Sequence, residues 1–343
     1  MRVFTKWLGV TVAAALLAVG AGGPAQAIVG GTEISGEEFR ESWSSVVSVR
    51  MTIDPTKESR CGGTYLGDQW ILTAAHCVAD RYTGTRAAVT AVVVWAGSVS
   101  SVTDGVVLDV EQIHLHPGFN RANVVNDIAL VRLASDAGLV EAGVVPARLV
   151  HTGWDYRAEI QGTAVGWGRT DTGQVSPVLR SVPLKLWGHK DCARETAYKS
   201  LFSTATAVCA RPVDPTRRDG IDDGDSGGPL MVDLDGVPTV VGITSWGMPR
   251  LGAVNKNNLS MFTRVGDFVD WIDAVRSHAA ESPERMHTIA GTGEKGSGGD
   301  GTNAIDAQLN GPHGVVVDAE GNIIFSEPEN NQIRRIDLNG QII

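Results

Sequence analysis

Short apolar runs with turn residues between them set the first limit on this chain. They fall at Ser45–Met51, Trp70–Thr73, Ala88–Ala96, Val106–His114, Ile128–Leu133, Glu159–Trp167, Pro183–Trp187 and Thr239–Trp246. Many are rich in Val, Ile and Thr, and several alternate apolar with polar, the period of a half-buried strand. This rhythm predicts an all-β architecture, a barrel or a sandwich. One stretch breaks it. Phe268, Trp271, Ile272 and Val275 recur at helical spacing and predict a helix with one apolar face, capped by Asp267. A length of 343 residues, 43% of them hydrophobic, supplies a core, and 41 glycines supply the turns.

Three segments carry chemistry. Gly224-Asp225-Ser226-Gly227-Gly228-Pro229-Leu230 holds a serine in a glycine-rich loop. Glycine permits positive φ and close approach of a substrate. A serine held there can act as a nucleophile, with main-chain N–H groups beside the carbonyl it attacks. Thr73-Ala74-Ala75-His76-Cys77 supplies a base. A serine hydroxyl is a weak nucleophile near neutrality, and imidazole titrates in that range. Asn126-Asp127-Ile128 supplies a carboxylate that fixes an imidazole tautomer and stabilises the imidazolium. Taken singly, His76 reads as a core histidine, Asp127 as a turn residue before a strand and Ser226 as a turn serine. Taken together they read as a catalytic set.

These segments resemble the chymotrypsin-like (trypsin-like) serine peptidase family over about residues 28–276, and the order His76, Asp127, Ser226 is that family's order. The resemblance implies two antiparallel six-stranded barrels with the site in the cleft and the helix packed on the second barrel. It implies an acyl-enzyme on Ser226 and an oxyanion hole made by the N–H groups of Gly224 and Ser226. Ser245-Trp246-Gly247 looks like the substrate-binding strand, which pairs with a peptide as an added β-strand. By resemblance the Ser245 hydroxyl also supports Asp127, and Ala164–Gly168 is the glycine-rich turn behind the site. Four cysteines allow three pairings. By resemblance Cys61 and Cys77 form the family bridge at the histidine loop, and Cys192–Cys209 is the expected second bridge. No cofactor and no metal are implied. His114 and His116 alternate like a ligand pair, but the family carries a His-Pro there without metal.

The specificity pocket departs from the family pattern. Gly220 stands six residues before the nucleophile, where the family places the pocket floor, and Ser260 holds the opposite wall. Asp222 replaces the usual cysteine four before the nucleophile, and its partner is absent too, so a pocket-bracing disulfide is not made. Two readings follow. A neutral pocket takes small or apolar side chains. Alternatively, a shifted backbone brings Asp219, Asp222 or Asp223 into the pocket and selects basic ones.

Met1–Ala27 reads as a secretory signal, with Arg2 and Lys6, the apolar run Leu8–Val19 and the small-x-small site Ala25-Gln26-Ala27. The run falls short of the roughly 20 residues of a stable membrane span. Ile28-Val29-Gly30-Gly31 follows and resembles the family's activated N-terminus, whose α-ammonium pairs with the aspartate before the nucleophile, here Asp225. A cut after Ala27 gives an active enzyme on export; a cut near Val19-Gly20-Ala21 leaves the propeptide Gly22–Ala27. The formal charge is −10, and the signal holds two basic and no acidic residues, so export deepens it. That argues against a nucleic-acid partner.

Residues 277–286 read as a polar linker and 287–343 as a second unit. Gly314–Val317, Asn322–Phe325 and Gln332–Ile336 are short strands between turns. The stretch from Leu309 to Asp337 resembles an NHL repeat, one blade or so of an incomplete β-propeller with a protein ligand. The reading as a whole is a secreted serine endopeptidase acting on peptides or proteins. The alternatives are a non-catalytic binding protein on a peptidase scaffold and an esterase using the same triad.

Overall fold

The computed structural model describes residues 28–80, 82–101, 103–170, 172–187, 192–193, 206–247, 259–280, 288–318, 321–337 and 340–343. The signal reading of 1–27 lies outside these residues, as does most of the linker.

A short strand, β1 (Thr32–Glu33), precedes the first barrel. That barrel comprises β2 (Val46–Asp54), β3 (Lys57–Gly67), β4 (Trp70–Thr73), β5 (Val92–Ala96), β6 (Val106–Leu115) and β7 (Ala129–Leu133), closed in the order β2-β3-β4-β7-β6-β5. After the two-residue β8 (Arg148–Leu149) come β9 (Gln161–Gly166), β10 (Arg180–Trp187), β11 (Ala207–Pro212), β12 (Pro229–Leu234), β13 (Val237–Gly247) and β14 (Ser260–Arg264). They run β10-β11-β14-β13-β12-β9, and β9 pairs back onto β10 to close a second barrel. The neighbouring strands within each barrel are antiparallel.

The burial pattern follows the side-chain period of two. In β5 and β10 alternate residues are buried, and the inward ones (Val92, Val94; Val182, Leu184, Leu186) enter the core. Residues 88–91, expected as strand, instead include a 3₁₀ turn, Val89–Ala91, that leads into β5. β3 escapes the sequence pattern because its first residues, Lys57 to Arg60, are mostly exposed where the β2–β3 hairpin projects beyond the barrel. One continuous core spans both barrels, from Val47 and Leu72 to Leu184 and Phe262.

The helix Val269–Ala280 packs through Phe268, Trp271, Ile272 and Val275 onto this core. It continues four residues into the segment read as linker, since the alanines at 279 and 280 extend a helix readily. Asp267 lies within a preceding 3₁₀ turn and pairs with Arg264 at 3.0 Å. Tyr156 fixes the entry: its hydroxyl donates to Val241 O and accepts from Gly266 N–H, both at 2.8 Å.

The C-terminal region is a three-stranded antiparallel sheet: β15 (His313–Val317), β16 (Ile323–Glu327) and β17 (Gln332–Ile336). Ile342 bridges back to Ile336 and packs with Ala304, Ala307 and Phe325. Glu327 and Arg334 are buried beneath the sheet, with Arg334 Nη2 on Asp300 Oδ1 at 2.6 Å. Among the described residues, no helix is long and apolar enough to cross a membrane.

Candidate active site

His76 sits in a 3₁₀ turn, Ala75–Cys77, directly after β4, and Asp127 lies two residues before β7. Because β4 and β7 are paired, Thr73 opposite Ala129, their neighbouring loops emerge together. Asp127 is fully buried. Its Oδ1 accepts the His76 main-chain N–H at 2.9 Å, and its Oδ2 faces His76 Nδ1 at 2.7 Å. This places the ring proton on Nδ1 and makes Nε2 the acceptor; its neighbour at 3.7 Å, Cys77 Sγ, is in a disulfide and has no proton to give. Ser245 Oγ donates to Asp127 Oδ2 at 2.5 Å, and Thr263 Oγ1 donates to Asp127 O at 2.9 Å. A buried carboxylate is tolerated when every acceptor is engaged in this way. The Cys61–Cys77 disulfide closes beside the histidine and ties its turn to β3.

Ser226 comes from the second barrel, in the loop that feeds β12. Its carbonyl accepts Gly62 N–H from β3 at 2.7 Å, which fixes the loop against the first barrel. The next residue, Gly227, has φ +79°, and a Cβ there would lie 2.3 Å from Thr73 Oγ1. Only glycine fits at that seam. Among the described residues Ser226 Oγ makes no hydrogen bond. Catalytic hydrogen bonds are often long in a free enzyme and tighten around a substrate. The N–H groups of Gly224 and Ser226 likewise have no partner among the described residues, whereas those of Asp225, Gly227 and Gly228 are taken by main-chain carbonyls.

Asp225 is buried. Its Oδ1 accepts Gly168 N–H at 2.7 Å and its Oδ2 accepts Asp222 N–H at 2.9 Å. A Cβ at Gly166 or Gly168 would lie 2.3 Å from an Asp225 carboxylate oxygen, so the glycine-rich turn is the wall of a carboxylate cradle. Ile28 is completely buried, and Val29 forms an antiparallel bridge with Gly220.

The residues read as the pocket lie together. Ile221 N–H donates to the buried Ser260 Oγ at 3.2 Å. A Cβ at Gly247 would meet Ile221 Cγ1 at 3.3 Å, so the isoleucine faces the Ser245–Gly247 strand. Sequence reasoning missed Ile221, although counting back five from the nucleophile finds it; Thr263 had no sequence signal. The three acids have other neighbours. Asp219 is bridged by Arg217 Nε at 3.0 and 2.8 Å. Asp222 Oδ1 accepts Asp223 N–H at 2.6 Å, and Asp223 is exposed, 3.5 Å from Arg169 Nε.

His114 and His116 part company. The His114 ring lies by Trp70 with Nε2 near Gln112 Oε1 at 2.9 Å, and His116 packs edge-on against Phe268 and Trp271. Burial holds both below the ordinary histidine range, and Arg86 and Arg132 add to it at His114. The second disulfide joins Cys192 and Cys209.

The sequence matches the family described as Trypsin over residues 28–272. The chymotrypsin-like elastase family member 1 of Bos taurus is 33% identical over 257 residues, covering 72% of this chain and 88% of that protein. The CLIP domain-containing serine protease B4 of Anopheles gambiae is 29% identical, with 71% and 69% covered. Vitamin K-dependent protein C of Mus musculus is 32% identical, with 64% and 47% covered. The two barrels, the histidine–aspartate pair and these matches place the chain in the trypsin family of serine endopeptidases.

Proposed function

We propose that Ser226 is the nucleophile of a secreted endopeptidase, with His76 as general base and Asp127 as the group that orients it. The observation that carries this is the Ser245–Asp127–His76 hydrogen-bond chain, which leaves His76 Nε2 as the ring nitrogen to accept the Ser226 hydroxyl proton. Attack by Ser226 Oγ on a peptide carbonyl passes its proton to His76 and gives a tetrahedral oxyanion. The free N–H groups of Gly224 and Ser226 receive that charge. His76 then gives the proton to the leaving amine, and water releases the acyl group by the same route. Asp225 and the α-ammonium of Ile28 form the activation pair once the chain begins at Ile28; the depth of both residues supports this.

The pocket formed by Gly220, Ile221, Ser260 and Gly247 takes small to medium neutral side chains. Asp219 is already committed to Arg217, so an acidic floor has no support. The C-terminal sheet is a blade of the NHL type, with a protein ligand as its target.

The test is cleavage of a mixed peptide library by the secreted protein, read by mass spectrometry beside Ser226→Ala. Cuts after small neutral residues that vanish in the variant support the reading. Cuts after Arg or Lys overturn the pocket assignment, and no cuts from protein that starts at Ile28 overturn the catalytic one.

A further inference from the structure

The segment Ile28–Gly31 is gripped through its main chain by two arginines. Arg217 holds Asp219 by Nε at 3.0 and 2.8 Å, and its Nη2 donates to Gly30 O at 3.3 Å. Arg180 donates from Nη1 to Glu33 Oε1 at 2.5 Å and from Nη2 to Gly31 O at 3.3 Å. Asp219 and Arg180 are both buried. Gly30 has φ +75°, and a Cβ there would lie 1.8 Å from Asp219 Oδ1, so the carboxylate occupies the space a side chain would need. Next to these two carbonyls, Gly220 N–H donates to Val29 O at 3.0 Å. Gly220 opens the loop that ends at Ser226. That loop lacks the bracing disulfide, since Asp222 stands in place of one cysteine.

We infer that Arg217 with Asp219, and Arg180 with Glu33, are positioning clamps that hold Val29 against Gly220 and keep the 220–226 loop ready for substrate in place of the missing disulfide. This rests on the reading above that the loop carries the pocket floor and the oxyanion donors. A guanidinium suits the task because its planar fork serves a carboxylate and a carbonyl at once, and its charge strengthens both bonds. On Gly30 and Gly31 the grip is made to carbonyls, and the space beside Gly30 admits no side chain. Neither arginine is assigned a contact with substrate. Both act through Gly220.

The experiment uses secreted enzyme sequenced to start at Ile28, with Arg217→Gln, Arg217→Lys, Arg180→Gln and the double variant Arg217→Gln/Asp219→Asn. Active sites are counted by the burst from an acylating nitrophenyl ester, and kcat and KM are measured on a peptide. We expect Arg217→Gln to lower the titratable fraction about fivefold or more and to raise KM, with turnover per titrated site within about twofold of wild type. Arg180→Gln should do the same. The lysine variant should recover part of the loss, and the double variant should be no worse than Arg217→Gln, because both remove one clamp. The double variant also keeps the test open if an unpaired Asp219 prevents Arg217→Gln from folding. Titratable fraction and KM within about twofold of wild type in folded Arg217→Gln and Arg180→Gln would overturn the inference. A wild-type enzyme that gives no burst instead overturns the catalytic reading beneath it.

Discussion

Ser245 Oγ donates to the same Asp127 oxygen that faces His76 Nδ1, at 2.5 and 2.7 Å respectively. The other oxygen is occupied by the His76 main chain. The aspartate is therefore pinned from the second barrel while it orients a ring on the first. Ser245→Ala removes one hydrogen bond to a charged group, worth about 1.5–3 kcal/mol. We expect kcat to fall about tenfold or more with KM little changed. Asp127→Asn favours the wrong tautomer and should cost about 10⁴ in kcat. Steady-state kinetics on a peptide substrate decide, and wild-type turnover in Ser245→Ala would show the hydroxyl to be idle.

Gly168→Ala places a methyl within 2.3–2.5 Å of the Asp225 carboxylate. The carboxylate is buried and bonded to Gly168 N–H, so it has little room to yield. Overpacking of this kind costs about 1–3 kcal/mol. The expected result is a lower melting temperature together with a loss of titratable active sites.

Ile221→Gly should widen the pocket. Each methylene buried contributes about 0.8 kcal/mol, and one methylene commonly changes selectivity by about 10–200-fold. We expect kcat/KM for a bulky apolar residue, relative to alanine, to rise by at least about tenfold. Matched peptide substrates measure the ratio; an unchanged ratio would remove Ile221 from the pocket.

The two disulfides should behave differently. They close loops of 16 and 17 residues, so each stabilises by about 3 kcal/mol in the chain-entropy account. Only Cys61–Cys77 adjoins His76. Replacing both of its cysteines by serine should lower kcat as well as the melting temperature, whereas replacing Cys192 and Cys209 should act mainly on stability. Parallel calorimetry and kinetics on both variants check this.

Stability should fall in mild acid. His116 is wedged against Phe268 and Trp271, and its Nδ1 accepts Gly118 N–H at 3.1 Å, so the folded protein prefers the neutral ring. The unfolded chain protonates at an ordinary histidine value, about 6.5. The folded state then binds fewer protons, and its advantage is complete above that pH and lost as pH falls below it. His114 contributes in the same direction. His116→Phe keeps the aromatic packing and should flatten, without abolishing, the fall in melting temperature between about pH 7 and 5.

The barrels were legible because most inward faces alternate with outward ones, as in β6, expected over Val106–His114 and found over Val106–Leu115. β3, β11, β12 and β14 fall outside the expected runs; for β3, burial in the second half of a hairpin is decided by what β2 and β4 place against it and not by its own polar start. His76, Asp127 and Ser226 were legible as three local motifs, and the first two are joined directly. The supports were less so. Thr263 reaches Asp127 across 136 residues, and the arginines on Gly30 and Gly31 come from 187 and 149 residues away respectively. Nothing local in a sequence marks a contact made only after two barrels dock.

That docking has a consequence for how the molecule fails. His76 and Asp127 belong to one barrel and Ser226 and Ser245 to the other, so turnover works as a gauge of how the halves are aligned. A slip of about 1 Å along the seam would cost on the order of 100-fold in rate while every strand keeps its ladder. Mild heat, denaturant or a wedge in the cleft should therefore silence the enzyme before circular dichroism registers any change.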